Sequence, residues 1–310
     1  MPSLNEIKDR IESVKETRKI TNAMYMISSN KLRQAKKMLA ETEPYFFATQ
    51  KELARIMKYI PKDTENVYLN TYSEIAPEDR RKGYIVVSDD KGLAGAYNHN
   101  VLALAESMIP DPGTEYFYVV GEVGRQYFKS RGIEIDGDFQ YAAQKPTISL
   151  ARSIAYRLLE HYEKRQLEEV YIIYTAMKGP LSTEVKVDRL LPLKISYERE
   201  EAESRVVIES DEDGKKGKSN METLLLMDPS PSAVLDNIVP PCVSGLIYGA
   251  LVESFCSAQN SRMLAMDAAN KNASEIVKEL ERTYNRTRQA GITQEITEVV
   301  GGSRKRERKK

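Results

Sequence analysis

The residues best placed to do chemistry stand in one turn. The apolar run Tyr84–Ser88 leads into Asp89-Asp90-Lys91-Gly92-Leu93-Ala94-Gly95-Ala96-Tyr97-Asn98. A glycine-bearing turn between a strand and a helix can bind phosphate through free backbone N–H groups. This turn departs from both phosphate-binding patterns. A P-loop needs Gly-Lys-Ser/Thr opening the helix, whereas the order here is Lys91-Gly92, and no Gly-x-Gly-x-x-Gly is present. Asp89 and Asp90 would also repel a phosphate. The turn is therefore expected to be structural, without a catalytic residue, cofactor or metal.

The remaining chemically able side chains are scattered. His99 and His161 have no Cys or His neighbour at ligand spacing, and no Ser, His and Asp are placed to suggest a nucleophile with its base. Cys242 and Cys256 are too few for a disulfide framework or a zinc site, which fits a reducing compartment. Polar, helix-like sequence from Ser3 onward does not read as a signal peptide. No continuous apolar run is expected to span a bilayer, so membrane association is expected only through partners, without direct insertion.

Charge is balanced overall, with 46 Lys+Arg against 46 Asp+Glu, so net charge points to neither nucleic acid nor membrane. It is patterned instead. Between Glu16 and Glu41 lie Arg18, Lys19, Lys31, Arg33, Lys36 and Lys37 with no acid among them. This run reads either as an electrostatic contact surface or as a solvated helix face. From Glu198 to Asp213 there are eight acids and two arginines, and the last seven residues hold six bases and one acid. The tail reads as a contact for nucleic acid or lipid, or as a solvated end.

Glycine and proline show which elements must hold these residues. No Gly precedes Gly83, no Pro lies between Pro2 and Pro44, and the last 69 residues have no Pro. Both ends can be long helices, while the middle is punctuated like a folded domain. Ser3 with Glu6 forms a capping-box pattern. Leu4, Ile7, Ile11, Val14, Arg18, Thr21, Tyr25, Ser28, Leu32, Ala35 and Leu39 then recur at steps of three and four, the spacing of a helix seam. Ile20, Met24 and Ile27 form a second line, so more than one neighbour is expected to touch this helix. At the other end a helix is predicted from about Val243 to Val300. Ile276, Leu280, Tyr284, Thr287 and Gly291 form its line, and Gly301-Gly302 are expected to end it. At 1.5 Å per residue it would be roughly 85 Å long, too long to bury within one domain.

Between the ends, strands are predicted at Tyr84–Ser88, Thr114–Val120, Val170–Ala176 and Thr183–Leu191. Helices are predicted at Asn98–Met108, Glu122–Ser130 and Ile148–Arg165. The alternation predicts a small, mainly parallel, Rossmann-like α/β sheet. Tyr197–Asn220 reads as an exposed charged loop. The organisation expected is an N-terminal shaft helix (1–60), a central α/β domain with the charged loop (61–220), a C-terminal shaft helix (221–302) and a basic tail (303–310).

Four stretches taken together carry a resemblance. Ile20-Thr21-Asn22-Ala23-Met24-Tyr25-Met26-Ile27-Ser28-Ser29-Asn30-Lys31-Leu32-Arg33 resembles the N-terminal helix signature of F-type ATP synthase gamma subunits. The turn Ser88–Asn98 resembles their central turn, and Arg262–Ala273 also fits. Tyr284–Gly302 is similar to the family's C-terminal signature almost throughout. The order and spacing match from end to end. The chain departs from the family in its basic ending, in Gly291, where Ala or Ser is expected, and in the length of the acidic loop.

The resemblance implies an α/β fold in which the two end helices form a long antiparallel coiled coil, with the α/β domain at its side. It implies a non-catalytic rotor subunit at the cytoplasmic face of a bacterial membrane, peripheral to it and without a cofactor. The shaft would turn inside a ring of alpha and beta subunits, and the foot would bind the epsilon subunit and the membrane ring of c subunits. Arg262, Arg288, Gln289 and Thr293 match positions that bond to beta near the middle of the ring. Met24, Lys31, Arg33 and Lys36 are expected to face beta as well, the basic ones opposite an acidic loop. A coiled-coil adaptor with a docking domain is the alternative, and it gives no reason for the C-terminal signature.

Overall fold

The computed structural model describes residues 3–61, 64–69, 75–76, 79–108, 115–179, 182–193 and 227–307. The acidic loop Tyr197–Asn220 and the end of the tail, residues 308–310, lie outside the described residues. Two long helices carry the chain ends: α1 (Leu4–Tyr59, 56 residues) and α5 (Pro231–Glu307, 77 residues). At 1.5 Å per residue they measure about 84 and 115 Å. By internal packing the chain forms two compact units. One comprises Met1–Arg33, Leu93–Gly95 and Gln259–Lys310, and the other Gln34–Gly92 with Ala96–Ala258.

In the first unit, α1 begins with the expected capping box: Glu6 N donates to Ser3 Oγ at 3.2 Å and Ser3 N to the Glu6 carboxylate at 3.1 Å. The two helices run antiparallel. Lys15 Nζ lies 2.9 Å from Glu281 Oε1, and Thr21 Oγ1 bonds Asn270 Oδ1, so partners descend along α5 as residues ascend along α1. Ile7, Ile11, Ser28 and Leu32 of the predicted seam are buried here, while Arg18 on the same line is exposed. On α5 the buried line is Met266, Ala273 and Val277, continued by the half-buried Leu280, Tyr284, Thr287 and Gly291. Ile276, placed on that line from sequence, is 43% exposed, and its neighbour Val277 takes the inward position. A one-residue error turns a helical side chain by about 100°, enough to move it off the seam.

In the second unit a four-stranded sheet has the order β2-β1-β3-β4. The strands are β1 (Lys82–Val87), β2 (Glu115–Val120), β3 (Glu169–Met177) and β4 (Thr183–Leu191). β1 pairs parallel with β2 and β3, and β4 closes the sheet antiparallel to β3. Helices α2 (Tyr97–Ser107), α3 (Glu122–Ser130) and α4 (Ile148–Glu163) make the connections. On one face, Val101, Leu102 and Ala105 of α2 and Phe128 of α3 pack on Tyr84, Val86, Phe117, Val119 and Ile173. Alternation sends Ile85, Tyr118, Val120 and Ile172 to the opposite face, where they are also buried. There Tyr118 Oη bonds His161 Nδ1 of α4 at 2.6 Å. At the strand starts, Arg80 lies 2.9 Å from Glu169 and Arg81 lies 2.5 Å from Glu168, which ties the head of β1 to the head of β3.

Three expectations about the long helices are corrected. α5 starts at Pro231, twelve residues before Val243. Ser230 Oγ accepts from Ala233 N at 3.2 Å, and Pro231 follows the cap, where a missing N–H costs nothing. The helix then runs through Pro240 and Pro241, and α1 runs through Pro44, so neither shaft helix lacks interior proline. From Leu235 to Leu251, α5 is buried on most sides, and that packing outweighs the proline penalty. Gly301-Gly302 do not end α5, whose backbone stays helical to Glu307. A helical Gly costs only about 1 kcal/mol, and the bases that follow favour a helix C-terminus. Finally, α5 contains an 18-residue window of mean hydropathy 1.4, apolar enough by length and composition to cross a bilayer, but 61% of it is buried in the protein.

Candidate functional site

Each of the first backbone N–H groups of α3 is taken by the chain itself. Gly121 N donates to Tyr141 O at 3.0 Å, Glu122 N to Asp90 Oδ1 at 3.1 Å, and Val123 N to Asp89 O at 3.1 Å. Gly124 N donates to Ser88 Oγ at 3.0 Å. The other Asp90 oxygen accepts from Gln144 N at 2.9 Å. A carboxylate of the turn thus sits where a bound anion would sit, at the positive end of a helix. Gly121, at φ 95°, permits the approach, since a Cβ there would lie 2.6 Å from Ser88 O.

Ligands of open α/β sheets bind outside the carboxyl ends of the strands. Here Val87, Ser88, Asp89 and Tyr97 meet Leu251, Ser254 and Phe255 of α5, and no space for a water-sized sphere remains between them. Tyr97 Oη lies 2.7 Å from Ser254 Oγ. Ser88 Oγ, Asp89 O and both Asp90 carboxylate oxygens thus accept from backbone N–H groups of the chain, and α5 fills the crevice. Among the described residues no group of three or more His, Cys, Asp or Glu is placed to hold a metal ion. Burial pushes the thiols of Cys242 and Cys256 up to about 11, so both are poor nucleophiles at neutral pH.

The residues expected to touch partners are distributed along the helices. Arg288, Gln289 and Thr293 are exposed on α5 within five residues, about 7.5 Å of helix. Arg262 is 7% exposed and lies 26 residues earlier on the same helix, about 39 Å away along its axis. The four therefore stand at two levels of the helix, Arg262 at one and Arg288, Gln289 and Thr293 at the other. Counting from the Thr21–Asn270 bond, Arg262 is level with Ser29 and close to the fully buried Ser28.

Among the basic residues, Arg33 and Lys36 are exposed and Lys31 half-buried, and none of the three makes an ion pair among the described residues. Met24 is half-buried, whereas Ile20 (61%) and Ile27 (55%) of the second apolar line are open to solvent, as is Met26.

Counting eleven residues from the Lys15–Glu281 pair, the first residue of α1, Leu4, stands level with Ile292 of α5. Beyond that level α5 runs on without α1 beside it, and Ile292, Ile296 and Val299 are exposed along one stripe. The i, i+4, i+7 spacing was available as a signal, but the start of α1 relative to α5 was not. At the other end of α5 a groove of about 560 Å³ lies between the two helices, lined by Tyr45, Thr49, Val234, Ile238 and Pro241 with Asp228.

Comparison with known proteins gives one family. The sequence model described as "ATP synthase" matches residues 3–304. The ATP synthase gamma chain of Caldanaerobacter subterraneus subsp. tengcongensis is 44% identical over 305 residues, covering 96% of this chain and 98% of that relative. A gamma chain of Acetobacterium woodii, named as sodium ion specific, is 34% identical over 97% of this chain. Among solved structures, a chain of the Euglena gracilis mitochondrial ATP synthase rotor in rotational state 1 superposes with a TM-score of 0.61. It covers 93% of this chain and 98% of its own, at 18% identity. A chain from the central stalk and c-ring of the Tetrahymena thermophila enzyme superposes at 0.56, covering 81% and 99%. At such identities the structural likeness speaks for the fold.

Proposed function

Because the chain belongs to the family of ATP synthase gamma chains, we propose that it is the central-stalk rotor of such an enzyme, carrying rotation between a membrane ion-translocating ring and catalytic subunits. The observation that carries this reading is the reach of α5. A single helix with Ile292, Ile296 and Val299 in solvent is marginal in water and needs a surrounding apolar surface. A ring of alpha and beta subunits closing around that tip supplies one. The chain itself is a non-catalytic subunit, consistent with the filled crevice at its α/β sheet. Segments 1–60 and 221–302 serve as the shaft, and 61–220 as the domain that, with the foot of the shaft, holds the epsilon subunit and the ring of c subunits. The complex works at the cytoplasmic face of a bacterial membrane, with this chain peripheral to it.

A shaft must present different faces to its surroundings without gripping one of them. Binding at any single angle has to be released at the next, so contacts must be many and individually weak. The exposed Ile20, Met26 and Ile27, with Lys31 and Arg33, which make no ion pair among the described residues, form such a surface on α1. Exposed ion pairs contribute about 0–1 kcal/mol each. Arg288, Gln289 and Thr293 form a second contact level on α5, distinct from that of Arg262.

The test is co-purification of the tagged chain with alpha and beta subunits, followed by substitution. Alanine at Arg288, Gln289 and Thr293 together should lower ATPase activity of the assembled complex, while reversal of Lys31, Arg33 and Lys36 should weaken assembly more at low salt than at high salt. Failure to co-purify would overturn the rotor reading, and unchanged activity and assembly would remove these residues from the contact.

A further inference from the structure

A helix that transmits torque must not turn or slide against the body that drives it. Apolar burial resists separation of two surfaces but has no direction, so it opposes slippage poorly. Within the second unit, α5 is buried on most sides, and Val239, Val243, Ile247 and Leu251 form one of its buried stripes. A directional bond closes this stripe at each end. At the start, Asn66 Nδ2 donates to Ser232 Oγ at 3.0 Å and to Asp236 Oδ1 at 2.8 Å. At the far end stands the Tyr97–Ser254 bond of 2.7 Å, with both residues buried. Asp236 and Ser254 are eighteen residues apart, five full turns, so they share one face about 27 Å apart.

Both bonds are anchored in the domain. Asn66 opens the short 3-10 turn Val67–Leu69, whose Tyr68 bonds Glu163 of α4 at 2.5 Å and stacks on Tyr162, while Tyr68 O accepts from Leu193 N just past β4. Tyr97 is the first residue of α2, directly behind the turn that holds α3. We infer that the buried Tyr97–Ser254 bond, with Asn66 at the other end, is a torsional key: it locks α5 to the α/β domain so that torque reaches the shaft instead of being lost as slippage. Tyr97 and Ser254 are positioning residues in this role, which rests on the rotor reading above.

The test uses the assembled complex carrying Tyr97→Phe, Ser254→Ala or both, which remove the bond with little change of volume. Tyr127→Phe serves as control, since it removes a domain bond, to Glu106 at 2.6 Å, that does not touch α5. ATP hydrolysis should stay near wild type in all four. In single-molecule rotation under load, slip events should become roughly fivefold more frequent in Tyr97→Phe, the opening expected from losing one neutral hydrogen bond. Ion pumping per ATP hydrolysed should fall in parallel, and the double variant should be no worse than either single one. Wild-type slippage in both single variants, additive effects in the double, or equal slippage in Tyr127→Phe would overturn the key. A chain that never joins alpha and beta subunits would instead overturn the rotor reading, so the two failures are distinct.

Discussion

The Lys15 ammonium lies 2.9 Å from the Glu281 carboxylate, joining the two end helices across 266 positions of sequence. Both side chains are nearly half exposed, so the pair contributes about 0–1 kcal/mol and its main effect is on register. Reversing one charge, as in Glu281→Lys, should lower the thermal midpoint slightly and do so less at high salt. Exchanging both, Lys15→Glu with Glu281→Lys, should restore it. A double exchange no better than the single reversal would mean that the pair does not hold the register.

Gly124 is a sharper case. A Cβ there would lie 2.6 Å from Ser88 Oγ and 2.8 Å from Val119 Cγ1, and Gly124 N is the donor to that same oxygen. Gly124→Ala should destabilise the α/β domain by about 1–3 kcal/mol, the range for an overpacked core. Urea denaturation of the isolated chain measures it. Gly291→Ala, where an added Cβ meets nothing within 4 Å, should stabilise or leave the protein unchanged.

Glu169 makes stability depend on acid. Burial alone raises its carboxyl, but hydrogen bonds from Tyr171 and Arg80 outweigh burial, and the net shift is downward. A carboxyl lowered on folding contributes stability above its unfolded value, and that contribution is lost as pH falls through the lowered one. Wild type should therefore lose stability from the ordinary glutamate range downward. Glu169→Gln should be weaker at neutral pH and flatter across that range. Parallel acid limbs for the two proteins in pH-dependent denaturation would contradict this.

The two thiols offer a check on α5. Cys242 and Cys256 are buried and their thiols sit at about 11, so alkylation of the native protein at neutral pH should be slow for both. Both should react readily after denaturation. Fast native labelling at either would mean that α5 is not packed in the domain as described.

Local information made most of the elements readable. Glu122–Ser130 and Thr183–Leu191 have the predicted bounds, and the other central elements differ by a few residues, because apolar alternation and helical spacing are properties of short segments. The capping box at Ser3 and the specific run Tyr284–Gly302 were legible for the same reason, and the second of these carried the family. Breaker rules misled where burial competes with propensity. Ser230-Pro231 is a helix-start pattern, yet the helix was predicted only from about Val243, after Pro240-Pro241, and only the packed surroundings of Val239 and Val243 show why it runs through that pair. Three relationships depend on groups far apart in the chain meeting in space: Val277 instead of Ile276 on the seam, the free stretch of α5 past Leu4, and the Asp90 carboxylate at the head of α3. The register of two helices and the filling of a crevice are long-range outcomes, set by which surfaces pack together, and no spacing within a single segment carries them.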